Sequence, residues 1–120
     1  MYIANDFKGF DNILMEGMFL RLITNFINKN NVLTTKTGKP IERLDFYNYH
    51  GLSKEFFDLL QQKKYLRKKN KRWYLNPFLV NRTFFFTQEL FEVYNDYMKL
   101  CLDEKEYESY KQKYLDNNKQ

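Results

Sequence analysis

The chain has 120 residues, enough for one domain with a single hydrophobic core. It carries 20 Lys and Arg against 15 Asp and Glu, a formal net charge of +5. The lone cysteine, Cys101, excludes an intramolecular disulfide and a cysteine-based metal cluster. No run approaches the roughly 18 apolar residues of a membrane span, so we expect no membrane contact. We also expect a cytoplasmic protein without a metal or a cofactor.

The charge is divided unevenly along the chain. Residues 1–88 hold 15 basic and 7 acidic side chains, a net of +8, whereas residues 89–120 hold 5 and 8, a net of −3. The densest positive run is KKYLRKKNKR at 63–72, where seven of ten residues are Lys or Arg. A basic body with an acidic C-terminal arm indicates that the first part faces a polyanion.

The first predicted helix covers Asp11 to Asn28, with Asp11 as its N-cap. Its apolar side chains recur every three or four residues, and they cover enough of the circumference to predict a central helix. The stripe is Met15, Phe19, Leu22 and Phe26, flanked by Leu14, Met18, Ile23 and Ile27. Gly17 costs about 1 kcal/mol relative to Ala in a helix, which indicates close packing at that point.

Two further helices are predicted before the basic run. After a β-prone stretch at 32–35 and a turn at 36–40, Pro40 favours a helix over about 41–49. Ser53 is the predicted N-cap of the next helix, which runs to about Gln62 and buries Phe56, Leu59 and Leu60. Two helices separated by so short a break predict a helix-turn-helix.

The basic run itself predicts a β-hairpin with a cationic tip. β-prone residues flank it at 65–66 and 73–75, and Pro77 ends the second strand because proline cannot continue the ladder. The predicted fold is therefore mainly α with a small β-hairpin: a winged helix-turn-helix domain over 1–86 and an added long C-terminal helix over 87–120.

The C-terminal extension is predicted to begin at Thr87 and to bend or restart near Leu102, where Asp103 and Glu106 have capping-box-like spacing. Its aromatic stripe has two interpretations: it packs on the first helix and completes the monomer core, or it forms a symmetric dimer seam. The length of the segment favours dimerisation. The predicted seam residues are Tyr94, Tyr97, Met98, Tyr107 and Tyr110.

The order of these elements resembles the winged-helix proteins of phages and plasmids of Gram-positive bacteria, including the RepL-like plasmid replication proteins. The resemblance runs from about Val32 to Tyr94 and is carried by residues 35–40, 52–53 and 65–68, and by the sequence YLNP at 74–77. That last motif is similar to the family's wing-closing Tyr-x-Asn-Pro. The resemblance implies that the helix opening at Ser53 is the recognition helix and that the basic hairpin is the wing.

Double-stranded DNA, bound by a homodimer, is the predicted partner. Phosphate contacts release counterions and give affinity that falls steeply with salt; the alternative is a solvated hairpin without a partner. The predicted wing contacts are Lys68, Lys69, Lys71 and Arg72. The predicted recognition-helix contacts are Ser53, Lys54, Lys63 and Lys64, with Glu55 and Phe57 also at the exposed start of that helix.

Catalysis finds no support in the sequence, so we expect no enzyme and no small-molecule substrate. His50 and Cys101 lie on different predicted elements, and Glu89 and Glu92 have the spacing of ordinary helix-surface carboxylates. The leading hypothesis is a phage or plasmid transcription regulator or replication protein. The alternative is a winged-helix module that docks on and inhibits a host or defence protein, which the acidic residues at 55 and 58 of the reading helix favour.

Overall fold

A computed structural model of the chain describes residues 2–3, 9–44, 51–77, 80–81, 88–101 and 103–118. Within these ranges there are four helices, α1 (Ile13–Asn25), α2 (Lys54–Gln62), α3 (Gln88–Cys101) and α4 (Glu104–Asn118). The strands are β1 (Tyr2–Ile3), β2 (Leu66–Lys69), β3 (Arg72–Leu75) and β4 (Val80–Asn81). β2 and β3 form an antiparallel hairpin, and β1 pairs with β4. The mainly α class with a small hairpin is confirmed, and the order is compatible with a winged-helix layout.

Helix α1 is shorter than predicted at both ends. Its N-cap is Asn12 and not Asp11, because the Asn12 side chain accepts a hydrogen bond from the Leu14 N–H at 2.8 Å. It ends at Asn25 because the chain then leaves the helical conformation at Phe26 and turns into an extended segment. The predicted stripe is largely buried, but Leu14 is 67% exposed, contrary to expectation.

Gly17 does not mark a close packing contact, so that expectation is wrong. A Cβ built on this residue meets no other atom within 4 Å, and the residue is exposed. We therefore expect Gly17→Ala to raise the free energy of unfolding by about 0.5–1 kcal/mol, because alanine loses less backbone entropy in a helix. Urea unfolding measures the change, and a destabilised variant would contradict the open space seen here.

An extended segment after α1 adds a third, strand-like element beside the hairpin. Val32 bridges Tyr74, and the Leu33 N–H donates to the Trp73 carbonyl at 2.8 Å. The chain then turns at 35–39 and returns, so that the Ile41 N–H donates to the Leu33 carbonyl at 3.0 Å. The helix predicted over about 41–49 therefore does not begin at residue 41, and residues 45–49 of its range lie outside the described residues.

Helix α2 begins and ends where the sequence predicts. The Ser53 hydroxyl accepts a hydrogen bond from the Phe56 N–H at 3.1 Å, which confirms the N-cap. Phe56 and Leu60 are buried as expected, while Leu59 is only partly buried. Phe57, expected on the exposed start of the helix, is only 1% exposed. Its ring stacks edge-on against Phe56, with 5.3 Å between the ring centroids, so it belongs to the core.

The hairpin lies between two layers of helix. On one side, Leu66 and Leu75 join the core formed with α1 and α2. On the other side, Val32 and Tyr74 form a second cluster with residues of α3, namely Leu90, Val93 and Tyr94. The C-terminal segment thus adds to the monomer core by covering the outer face of the sheet, and this cluster contains no residue of α1, on which the stripe was expected to pack. The predicted domain boundary at 86–87 lies outside the described residues.

The two C-terminal helices are separate, as the capping-box spacing indicates. The Asp103 side chain accepts a hydrogen bond from the Glu106 N–H at 2.7 Å, and α4 begins at Glu104, directly after Asp103. Of the helices described, none has both the length and the apolar character needed to cross a membrane.

Candidate nucleic-acid interface

The basic run forms a tight β-hairpin, which we call the wing (residues 66–75). Asn70 and Lys71 connect its strands, and both have left-handed backbone angles, with φ of 53° and 65°. Two consecutive residues of this kind make a type I′ turn, whose twist suits a two-residue hairpin. The strands pair in register from Leu66–Leu75 at the base to Lys69–Arg72 at the tip.

This register divides the wing into two faces. Residues directly opposite each other in an antiparallel pair point to the same side, and successive residues alternate. One face therefore carries Leu66, Lys68, Trp73 and Leu75, and the opposite face carries Arg67, Lys69, Arg72 and Tyr74. The second face is the one that meets α3, so three of the seven cations of the basic run are turned toward that helix.

Each of these three cations has a partner on α3. Arg72 forms an ion pair with Glu89, with 3.1 Å between Nη1 and Oε1. The Lys69 ammonium donates to the backbone carbonyl of Glu92 at 3.3 Å, and Arg67 Nη1 donates to that of Val93 at 3.1 Å. Lys69 and Arg72, predicted as phosphate contacts, are thus engaged within the chain.

Glu89 joins the wing to α3 and to the loop after α1. Its Oε1 accepts hydrogen bonds from the hydroxyl of Tyr74 and from Arg72, and its Oε2 accepts one from Asn30 Nδ2 at 3.4 Å. The sequence marks Glu89 only as a helix-surface carboxylate. Its role depends on residues 15 to 59 positions away in the chain, for which local spacing carries no signal.

The same contact favours the neutral form of the Tyr74 phenol. Burial, followed by the hydrogen bond to Glu89 and its charge, raises the pKa of Tyr74 to about 12 from its ordinary value of 10.0. Because the folded pKa is the higher one, the neutral phenol favours folding. This contribution is complete below pH 10 and is lost as the pH rises from 10 toward 12.

We therefore expect the free energy of unfolding to fall by about 2 kcal/mol more in the wild type than in Tyr74→Phe when the pH rises from 9 to 11.5. The phenylalanine variant keeps the ring but has no phenol proton to lose, so the difference between the two proteins isolates the contribution of the Tyr74 hydroxyl. Parallel curves for the two proteins in urea unfolding would contradict the raised pKa.

Four lysines remain exposed on and beside the wing. Lys68 lies over the Trp73 ring at 5.8 Å, and Trp73 Nε1 donates to the Glu42 carbonyl at 3.1 Å, which fixes the indole. Lys71 is at the tip, and Lys63 and Lys64 are at the base, where Lys63 lies 5.9 Å from the Tyr65 ring. The ion pairs formed among the described residues involve none of these four lysines.

The exposed side of α2 offers few groups to a DNA base. The Ser53 hydroxyl is used as the N-cap, and Lys54 forms an ion pair with Asp58 at 3.1 Å. Glu55 is exposed beside them. Lys63 and Lys64 follow the last residue of the helix, so they belong to the base of the wing and not to the helix face.

Asn31 holds the base of the wing in place, and sequence reasoning misses it. The residue is fully buried, at 0% exposure, and has a left-handed φ of 58°. Its Nδ2 donates to the carbonyls of Leu75 at 3.0 Å and Val80 at 2.6 Å, and its own carbonyl accepts from the Leu75 N–H at 2.8 Å. Only the tolerance of asparagine for left-handed backbone could have indicated such a role.

Three of the five predicted dimer residues make contacts within the single chain. Tyr94 is only 1% exposed, and its hydroxyl donates to the Tyr74 carbonyl, so it is a core residue and cannot serve as a seam. Tyr107 and Tyr110 are half-buried against the same cluster, and the Tyr107 hydroxyl contacts Asn95 Oδ1 at 2.7 Å. The side chains of Tyr97 and Met98 lie outside the described residues. Homodimerisation stays a prediction.

Within the described residues, no group of three or more His, Cys, Asp and Glu side chains is placed to hold a metal ion. His50 and the side chain of Cys101 are outside that description.

Comparison of the chain with protein-family models, curated proteins and solved structures gives no match.

Proposed function

We propose that this is a non-enzymatic winged-helix protein that binds double-stranded DNA through the phosphates, with the wing as its principal contact. One observation carries the proposal: a hairpin fixed between two helical layers, together with the two residues that follow α2 at its base, presents four exposed lysines without a carboxylate partner among the described residues, namely Lys63, Lys64, Lys68 and Lys71. A rigid cationic element of this kind gains counterion-release free energy without first having to order itself.

The division of the wing revises the set of contacts. Lys68 and Lys71 remain candidates for phosphate binding, whereas Arg72 and Lys69 support the wing through α3. Affinity is proposed to come chiefly from phosphates, since Lys54 of α2 is paired with Asp58 and Glu55 would repel a phosphate. The resemblance of the sequence to phage and plasmid proteins suggests a role in transcription regulation or replication.

A salt series with mixed-sequence duplex tests the proposal. Four phosphate contacts give a slope of log K against log salt of about −3.6, so that affinity falls roughly 100-fold between 50 and 200 mM salt. Fluorescence anisotropy with a labelled duplex measures both the affinity and the slope. Absence of binding at 50 mM salt would remove DNA from the proposal.

A second candidate is a winged-helix module that binds an acidic surface of a partner protein and inhibits that protein. The observation in its favour is the exposed side of α2, where Glu55 and the Lys54–Asp58 pair form a near-neutral surface more suited to a protein than to a base edge. This candidate would be favoured by two results together. The protein would bind no duplex in the salt series, and as bait it would pull down the same proteins from a cell lysate before and after nuclease treatment.

A further inference from the structure

Two lysines occupy backbone positions at which glycine is the favoured residue. Among the described residues other than glycine, a positive φ occurs at Asn31, Lys64, Asn70 and Lys71. Asparagine tolerates this region because its short side chain hydrogen-bonds locally, but a lysine Cβ crowds the following carbonyl. Lys64 and Lys71, with φ of 62° and 65°, are therefore strained relative to glycine.

The strain at Lys64 comes from the way α2 ends. The Lys64 N–H donates to the Gln61 carbonyl at 3.0 Å, and the Tyr65 N–H donates to the Leu60 carbonyl at 2.8 Å. This pair of hydrogen bonds is the Schellman motif, which requires a left-handed residue just past the helix and usually has glycine there.

The strain at Lys71 comes from the turn of the wing. The type I′ turn requires a positive φ at both central residues, and Asn-Gly is the pair that adopts it most readily. Here the pair is Asn70-Lys71, with lysine in the glycine position. Both lysines are exposed, and neither takes part in the ion pairs formed among the described residues. Their backbone hydrogen bonds would form equally well with glycine at either position, so these bonds do not require a lysine side chain.

We propose that Lys64 and Lys71 are phosphate-binding residues, kept at these two positions for contact with DNA at a cost to folding. The inference rests on the proposed function and deepens it. Strained backbone persists where the surrounding structure enforces it and where a function needs the residue. Lys64 lies where the chain enters the wing and Lys71 at its tip, so the two charges bracket a hairpin whose strands have four residues each.

Exchange of each lysine for glycine separates folding from binding. In Lys64→Gly and Lys71→Gly we expect Tm to rise by roughly 3–6 °C, because glycine relieves the backbone strain. We expect duplex binding to weaken by roughly tenfold in each variant at 100 mM salt, with the salt slope reduced by about one unit. A higher Tm combined with a weaker Kd is the signature of the proposal.

Three controls make the test specific. Lys64→Ala and Lys71→Ala lose the charge but keep the strained Cβ, so binding should weaken as in the glycine variants without the same gain in Tm. Asn70→Gly places glycine in the same turn without changing charge, and it should bind duplex like the wild type. Lys64→Asn and Lys71→Asn, which tolerate the left-handed conformation without a charge, should fold well and bind as weakly as the glycine variants.

The possible failures can be told apart. If both glycine variants bind duplex like the wild type while Lys68→Ala binds more weakly, the inference is wrong and the proposed function stands. If Tm falls in the glycine variants, the strain argument is wrong. If wild-type protein does not bind duplex at 50 mM salt, the proposed function fails and the inference fails with it.

Discussion

Double replacement of Lys68 and Lys71 by Glu is expected to weaken duplex binding by at least about 100-fold at 100 mM salt, while the fold is retained. At this salt concentration each phosphate contact contributes roughly a tenfold factor through counterion release. Two contacts are lost, and the two new carboxylates repel the phosphates. Both side chains are exposed and make no ion pair with the described residues, so the hairpin register should survive.

A matched variant tests whether the effect is local. Lys105→Glu with Lys111→Glu makes the same change in net charge at two exposed positions of α4, outside the wing. If the wing is the interface, this variant should bind duplex within about threefold of the wild type, since these positions make no proposed phosphate contact and the remaining effect of exposed charge is screened by salt. Equal losses in the two double variants would mean that total charge, and not the wing, governs binding.

Replacement of Asn31 by Leu is expected to lower the free energy of unfolding by about 4 kcal/mol, the largest stability change that we predict. The carbonyls of Leu75 and Val80 would each lose a buried hydrogen bond, at about 1–3 kcal/mol apiece. A leucine at a φ of 58° adds about 1–2 kcal/mol of backbone strain. Urea unfolding followed by tryptophan fluorescence measures the loss, since Trp73 lies on the wing.

Asn31→Gly separates the two causes of that loss. Glycine accepts the left-handed backbone but makes neither side-chain hydrogen bond, so about 2–3 kcal/mol of the effect should remain. If Asn31→Leu costs less than about 1 kcal/mol, the buried amide does not hold the base of the wing. If Asn31→Gly costs as much as Asn31→Leu, backbone strain contributes nothing measurable.

Several local elements could be predicted from neighbouring residues alone. Helix α2 could be predicted from its Ser N-cap and from the helical spacing of its apolar residues, and both of its predicted ends agree with the structure. The wing could be predicted because β-prone residues flank Asn70, and Pro77 ends the second strand. Asp103 likewise marked the start of α4. In each case the interactions responsible lie within a few residues of one another.

Other features could not be predicted because they depend on distant partners. The helix expected from about residue 41 does not begin there, since Ile41 hydrogen-bonds to Leu33 in an extended segment that continues the sheet. Phe57 is buried although its position in the helix made it look exposed, because core residues surround that side of α2. Asn31 and Glu89 gain their roles only from groups more than ten residues away.

The candidate interface shows the same limit. Charge density is a property of composition, so the cationic hairpin is evident from residues 63–72, and strand alternation implies that its side chains divide between two faces. Which of those faces α3 covers depends on how a helix more than ten residues further along packs against Tyr74. That packing engages Arg72 and Lys69 in intramolecular contacts with α3, whereas Lys68 and Lys71 are exposed and belong to neither ion pair of the described residues.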